Sequence, residues 1–276
     1  MAKEKHWNRY PFIFISVIHT SLLIYTFIKC KDRKRLFILL LTNTSMAYHF
    51  EYFVLNLFQS YQYKPKFFNN KIFDNIAGSI LSQALLIPFT AVYITAFQLN
   101  WKIKILFSIY FGLIEMFFKK IKIYKQYWWK TTYTVILLPM YFMFSDAWYK
   151  RLNTNNQYVQ FISLYHMILV MYVNNLFVFA LTRKIRFGFG KLHTWTEHFK
   201  LAPLYAIYKT LCFTWLVRSK SKRSSVIALG ASILADYGLT KFKIIKANKY
   251  VRPILFMNPI ILGFAYWFKK MVGERK

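Results

Sequence analysis

Acidic residues are scarce in this chain: 9 Asp and Glu stand against 39 Lys and Arg, a formal charge of +30. Glycine is scarcer still, with 8 in 276 residues. The two cysteines, Cys30 and Cys212, lie far apart, and no disulfide framework is expected from them. Absent altogether are the phosphate-cradling G-x-x-x-x-G-K-[ST] loop, the G-x-S-x-G nucleophile elbow and any paired C-x-x-C. Of the six histidines only His193 and His198 are close together, in H-T-W-T-E-H. That spacing is neither H-E-x-x-H nor H-x-x-E-H, and too few histidines remain for the several boxes of a di-iron desaturase. No catalytic constellation, no metal site and no cofactor is therefore predicted. The loop is expected to be basic and interfacial with incidental histidines, and G-F-G at Gly188 to Gly190 to be an ordinary loop.

Apolar residues are what the chain has in excess. They make up 57% of it, and a mean hydropathy of +0.27 is too oily for a surface that must face water throughout. A charge at the bilayer centre costs about 2.5–3.5 kcal/mol on insertion scales, so the lysines and arginines must collect between apolar segments, and they do. Nine such segments can be read: residues 10–28, 36–58, 76–97, 103–118, 131–147, 158–181, 201–217, 224–239 and 253–268. The predicted fold is all-α, a polytopic transmembrane helix bundle of eight or nine spans, with an N-terminal region 1–157 and a C-terminal region 158–276 inside one membrane unit. Several segments are short for a full crossing, so one or two re-entrant or interfacial helices remain open. The basic residues 1–9 precede an apolar run longer than a signal-peptide core, with no A-x-A site after it, and the run reads as an uncleaved first helix.

Basic residues come in clusters rather than as a stripe on a soluble module, which favours anionic lipid headgroups as partners and excludes nucleic acid. Aromatics beside the clusters, such as Trp7, Tyr61, Trp101, Trp128, Trp148 and Trp267, suit an interfacial belt. Orientation is not fixed by charge. The dense run Lys29 to Arg35 places the first loop in the cytoplasm, whereas the total over alternate loops favours the opposite. In the eighth segment Ala228 with Ser232 and Ala231 with Ala235 would let a neighbouring helix approach closely, or they form a small-residue stretch without a specific partner. No internal repeat is visible in the residues, which gives an inverted-repeat transporter no support.

The acids carry most of the functional information, because five of the nine fall in or at the edge of apolar segments: Glu51, Asp74, Glu115, Asp146 and Asp236. A carboxylate there must be protonated, paired or facing a wet cavity. Asp74 and Asp146 are expected to lie at helix ends in the interface, Asp74 where the helix dipole favours it. Glu51, Glu115 and Asp236 lie deeper. Glu115 stands one turn from Lys119 and Lys120, which suggests an i,i+4 pair, and Glu51 has only His49 nearby. Lys209 is set well inside the seventh segment, and it is predicted to pair with one of Glu51, Glu115 or Asp236. A Schiff-base lysine in a seventh span would suggest a retinal protein, but two further segments follow. Ser79, Ser82 and Gln83 make one side of the third segment polar, and Pro88 should kink it.

Residues 10–152 resemble an uncharacterised family of small five-helix membrane proteins of spore-forming Gram-positive bacteria. The resemblance rests on K-C-K-D-R-K-R from Lys29 to Arg35, Glu51 late in the second segment, Pro88 in the third and Glu115 in the fourth. The stretch Y-K-Q-Y-W-W-K-T-T-Y-T from Tyr124 to Thr134 completes it. It implies a multi-pass protein of a bacterial plasma membrane, covers about half of the chain and brings no activity with it. The function expected is that of a non-enzymatic membrane-embedded assembly partner, scaffold or sensor, with another membrane protein as a partner. The alternatives are a transporter or channel for a small ion or polar solute using Glu51, Glu115, Asp236 and Lys209, and third a lipid-modifying enzyme.

Overall fold

The computed structural model describes residues 6–154, 156–190, 193–219, 221–247 and 253–273, so residues 1–5 of the basic N-terminus lie outside it. The chain forms two compact units, Met1–Thr154 and Asn155–Lys276. Among the described residues it is all-helical, with nine helical rods, one over each apolar segment. Three of these are long and apolar enough to cross a membrane: Arg9–Lys29, Lys71–Ala96 and Gln157–Leu181.

In the first unit α1 (Arg9–Lys29) leads to α2 (Arg33–Glu51), which runs on as a π-helical stretch, Tyr52–Leu57, and then to strand β1 (Tyr61–Tyr63). The next rod is α3 (Lys71–Ser79), a second π stretch (Ile80–Leu86) and α4 (Ile87–Ala96). Helix α5 (Trp101–Lys120), strand β2 (Tyr124–Gln126) and α6 (Thr131–Arg151) follow. The second unit holds α7 (Gln157–Leu181), β3 (Ile185–Phe187), α8 (Trp195–Arg218), α9 (Lys222–Lys241), β4 (Ile245–Ala247) and α10 (Pro253–Gly273).

The rods start where side chains can satisfy free N–H groups. Asn70, Asn100, Asn156 and Ser221 cap α3, α5, α7 and α9. In H-T-W-T-E-H, Thr194 and Glu197 form a reciprocal capping box that opens α8. Pro88 lacks the N–H that would bond Ala84 O, and the carbonyl takes the Thr44 hydroxyl instead, at 3.2 Å. The π stretch just ahead of Pro88 absorbs the irregularity in that rod.

Two strand pairs were not foreseen. β1 and β2 are antiparallel, Tyr61 opposite Gln126 and Tyr63 opposite Tyr124. β3 and β4 pair likewise, Ile185 opposite Ala247. In each unit the two helical rods between paired strands form an out-and-back excursion, which returns the chain to the same edge.

The expected lack of a repeat is corrected by this arrangement. The order helix, strand, helix, helix, strand, helix occurs in both units, with α1 as an addition in front of the first. All four strands begin two residues after a left-handed residue: Gln59, Lys122, Arg183 and Lys243. The N-cap after the first strand comes nine residues from its start in both units, at Asn70 and at Thr194. Glu115 and Asp236 occupy the same place, each nine residues before the second strand. The units pack differently around this plan: α5 lies on α6 in the first, whereas α9 lies on α8 in the second. Ala228 and Ser232 are the buried residues of α9, so the small-residue face predicted there is the one turned to its neighbour.

Candidate functional site

Glu51 closes α2 with its side chain buried, 6% exposed. One carboxylate oxygen accepts the Tyr61 hydroxyl from β1, the other the Ser79 hydroxyl from α3. Above them Tyr63 donates to Ser82 Oγ at 3.2 Å and accepts from Gln83 Nε2 at 3.3 Å. The polar side of the third segment is thus filled by tyrosine hydroxyls from the strand. Burial raises the phenols of Tyr61, Tyr63 and Tyr124 above the ordinary tyrosine value, so they remain hydrogen-bond donors. His49 is half-buried on the same helix, and Glu51 draws neither of its hydrogen bonds from it.

Glu115 joins α5 to the start of α6. It accepts from Thr134 Oγ1 at 2.5 Å, Thr131 Oγ1 at 3.0 Å and the Gln126 amide of β2. The predicted i,i+4 pair is corrected: Lys119 reaches past the carboxylate to Gln126 Oε1, 2.9 Å away. Gln126 satisfies both ions at once, and no direct bridge is needed.

Of the three acids offered to Lys209, the fold brings up Asp236. Lys209 is fully buried, and its ammonium spends its three donors on Asp236 Oδ2 at 2.8 Å, Ser232 O at 3.2 Å and Ser232 Oγ. Asp236 also accepts from the Tyr205 hydroxyl at 2.8 Å and from Asn258 Nδ2 at 2.9 Å, and Tyr172 donates to Asn258 Oδ1 at 3.1 Å. Helices α7, α8, α9 and α10 all contribute. An ammonium whose three protons are already bonded is in no position to form a Schiff base.

Asp74 stands in the first turn of α3 as expected, but it is buried rather than interfacial, whereas Asp146 is corrected from a helix end to a half-buried position inside α6. Asp74 is 5% exposed, and it gathers three backbone N–H groups of the preceding loop, those of Lys66, Phe67 and Phe68. Asp146 forms an ion pair with Lys104, one residue inside the fourth apolar segment, and accepts from Thr95 Oγ1 at 2.7 Å. Ser145 beside it bonds Asn43 and Thr95, which ties α2, α4 and α6 together.

The histidine loop is corrected from incidental to structural. His198 Nδ1 accepts the Phe187 N–H at 3.1 Å, and His193 Nε2 meets Lys243 O at 2.7 Å. Gly188 is fixed by His193, whose Cα would lie 2.7 Å from an added Cβ. His19 of α1 carries no motif that marks it in the sequence. It is buried, with Nδ1 2.8 Å from Thr90 Oγ1 and Nε2 3.2 Å from the Tyr110 hydroxyl. Among the described residues no group of three or more His, Cys, Asp or Glu is placed to hold a metal ion.

Three kinds of acid therefore exist here. Asp146 and Asp236 have a lysine, Asp74 has backbone amides, and Glu51 and Glu115 have only neutral donors from side chains. No protein-family model matches the chain, and neither a curated protein nor a solved structure matches it.

Proposed function

We propose that this chain is a multi-pass membrane protein of nine crossings that serves as a non-enzymatic, membrane-embedded assembly partner. The carrying observation is the inversion of its helices. In α9 the buried residues are Ala228 and Ser232, while Val226, Ile227, Ile233 and Leu234 are exposed. In α5 Lys104, Ser108 and Gly112 are buried beside Phe111 and Phe118, while Leu106, Ile109, Leu113, Met116 and Phe117 are exposed. Rods that are more apolar outside than inside suit a lipid or protein surround and not water. The six rods that are long enough but not apolar enough for a crossing by composition carry charged residues that are partly paired inside the units, as Lys104 with Asp146 and Lys209 with Asp236. The resemblance of residues 10–152 to a five-helix bacterial family is compatible with the first unit's five rods and supports reading the protein as one of a bacterial plasma membrane.

The test is to purify the full chain from cross-linked native membranes in mild detergent. Co-purification of another membrane protein at fixed stoichiometry is expected. A monodisperse chain with no such protein would sink the assembly role. Labelling single cysteines from outside should report Lys64 and Lys125 on one face and Lys31 and Gln98 on the other, and a different pattern would remove the nine crossings.

A second reading, transport of a small ion or polar solute, is favoured by Glu51, which has no basic hydrogen-bond or ion-pair partner among the described residues. Asp236 and Lys209 neutralise each other and leave that reading. Proton-coupled flux into proteoliposomes that disappears with Glu51→Gln would decide for it.

A further inference from the structure

We infer that Glu51 is the site of a bound, exchangeable proton, held as a neutral carboxylic acid between Tyr61 and Ser79. Both carboxyl oxygens are occupied by hydroxyl groups. A neutral acid donates through one oxygen to one of these hydroxyls and accepts from the other, and the hydroxyl that accepts turns its own proton to an acceptor outside the trio. An ionised Glu51 has two donors and no counter-charge. Isolated buried charge of that kind costs several kcal/mol. Neither of its hydrogen bonds comes from a lysine, arginine or histidine, and it has no ion pair among the described residues. The titratable groups that its charge acts on are Tyr61 and Tyr63 on β1 and Tyr124 on β2, and Glu115 on α5 acts on Tyr63 and Tyr124 from the other side; His49 lies two residues before it on its own helix.

The second unit supplies an independent comparison. Ten residues ahead of the first strand stands Glu51 in one unit and Asn175 in the other. The repeat therefore places a neutral amide where this unit has its acid. The rods differ in the same place. Glu51 and Ser79 are each the last α-helical residue before a π stretch, whereas α7 and α8 are α-helical throughout. A π turn is an inserted residue with weakened backbone bonding, a feature enriched at functional sites. Two of them meet at the one acid that has only hydroxyls for company. When the proton leaves to water, the remaining carboxylate must recruit a further donor, and the two π turns are where the backbone can shift to supply one.

The inference holds whether or not the chain moves a solute, and it deepens the transport reading. A bound proton without flux would keep the site and remove that reading. The test is an infrared pH titration of the full chain in lipid vesicles. A C=O stretch of a neutral carboxylic acid is expected near neutral pH, fading at alkaline pH. It should be missing in Glu51→Gln and retained in Glu115→Gln. The folded chain then holds a proton that the unfolded chain has released at neutral pH, so the parent's melting temperature should fall as pH rises, and Glu51→Gln should remove that dependence. The glutamine keeps an acceptor and a donor for Tyr61 and Ser79, and an unchanged melting temperature at neutral pH will show that the variant folds. Absence of the band in the parent, its survival in Glu51→Gln, or stabilisation of the parent by sodium or potassium at constant ionic strength would each overturn the proposal.

Discussion

Lys209→Met should lower the stability of the purified chain by about 3–5 kcal/mol, the cost seen when one member of a buried ion pair is removed. Methionine fills nearly the same volume, so the loss is electrostatic. Asp236 keeps Tyr205 and Asn258 but loses the one cation paired with it among the described residues, and Ser232 loses a donor to both its carbonyl and its hydroxyl. The double variant Lys209→Met, Asp236→Asn should recover most of the deficit, because the asparagine can still accept from Tyr205 without carrying charge. Thermal unfolding in detergent checks both. If Lys209→Met is as stable as the parent, the pair contributes nothing and the network described above is incidental.

The second large effect lies in the first unit. Asp74→Ala removes the acceptor of three loop amides at 3.1, 2.8 and 3.2 Å, in a place where water reaches poorly. Hydrogen bonds to a charged group are worth about 1.5–3 kcal/mol each and are not fully additive, so a loss of about 3 kcal/mol is expected. Lys66, the first of the three donors, has a left-handed backbone (φ 62°), which the carboxylate helps to hold. Asp74→Asn should lose less, since one amide oxygen still accepts. Limited proteolysis between Lys64 and Asn70 should accelerate in the alanine variant; an unchanged cleavage rate would show that the loop is held by other contacts.

The all-helical class and the nine rods are legible in the sequence because apolar runs broken by lysine clusters are long signals. The strands are not. Each is three residues, within tyrosine-rich or lysine-rich stretches that read as loops, and their helix-to-strand turns use Gln59, Lys122, Arg183 and Lys243 where glycine would ordinarily mark the left-handed position. The same substitution hides the repeat. What the two units share is backbone conformation and spacing, carried by different residue types, and Glu115 with Asp236 is the one matching pair of acids. The charged members of the site stand out in sequence because charge in an apolar run is costly. Their neutral partners do not: Tyr61, Ser79, Thr134 and Asn258 are common residues that acquire a role only when distant rods meet. Asp74 is at a helix start as its position suggests and Asp146 lies a turn inside its helix, but position along a helix says nothing about what folds over it.

The strand pairs also set a timetable for synthesis. When β1 leaves the ribosome its partner β2 is still about 60 residues away, and the same holds for β3 and β4. At translation rates of roughly 5–20 residues per second, each early strand waits about 3–12 seconds with a bare edge. During that interval two helical rods must form and turn back on each other, or the edge remains unpaired. The geometry of the repeat adds a hazard, because an unpaired β1 and a newly made β4 present similar short edges. Correct assembly of this chain is thus a matter of order in time, in which the first unit closes its own seam before the last strand of the second is made.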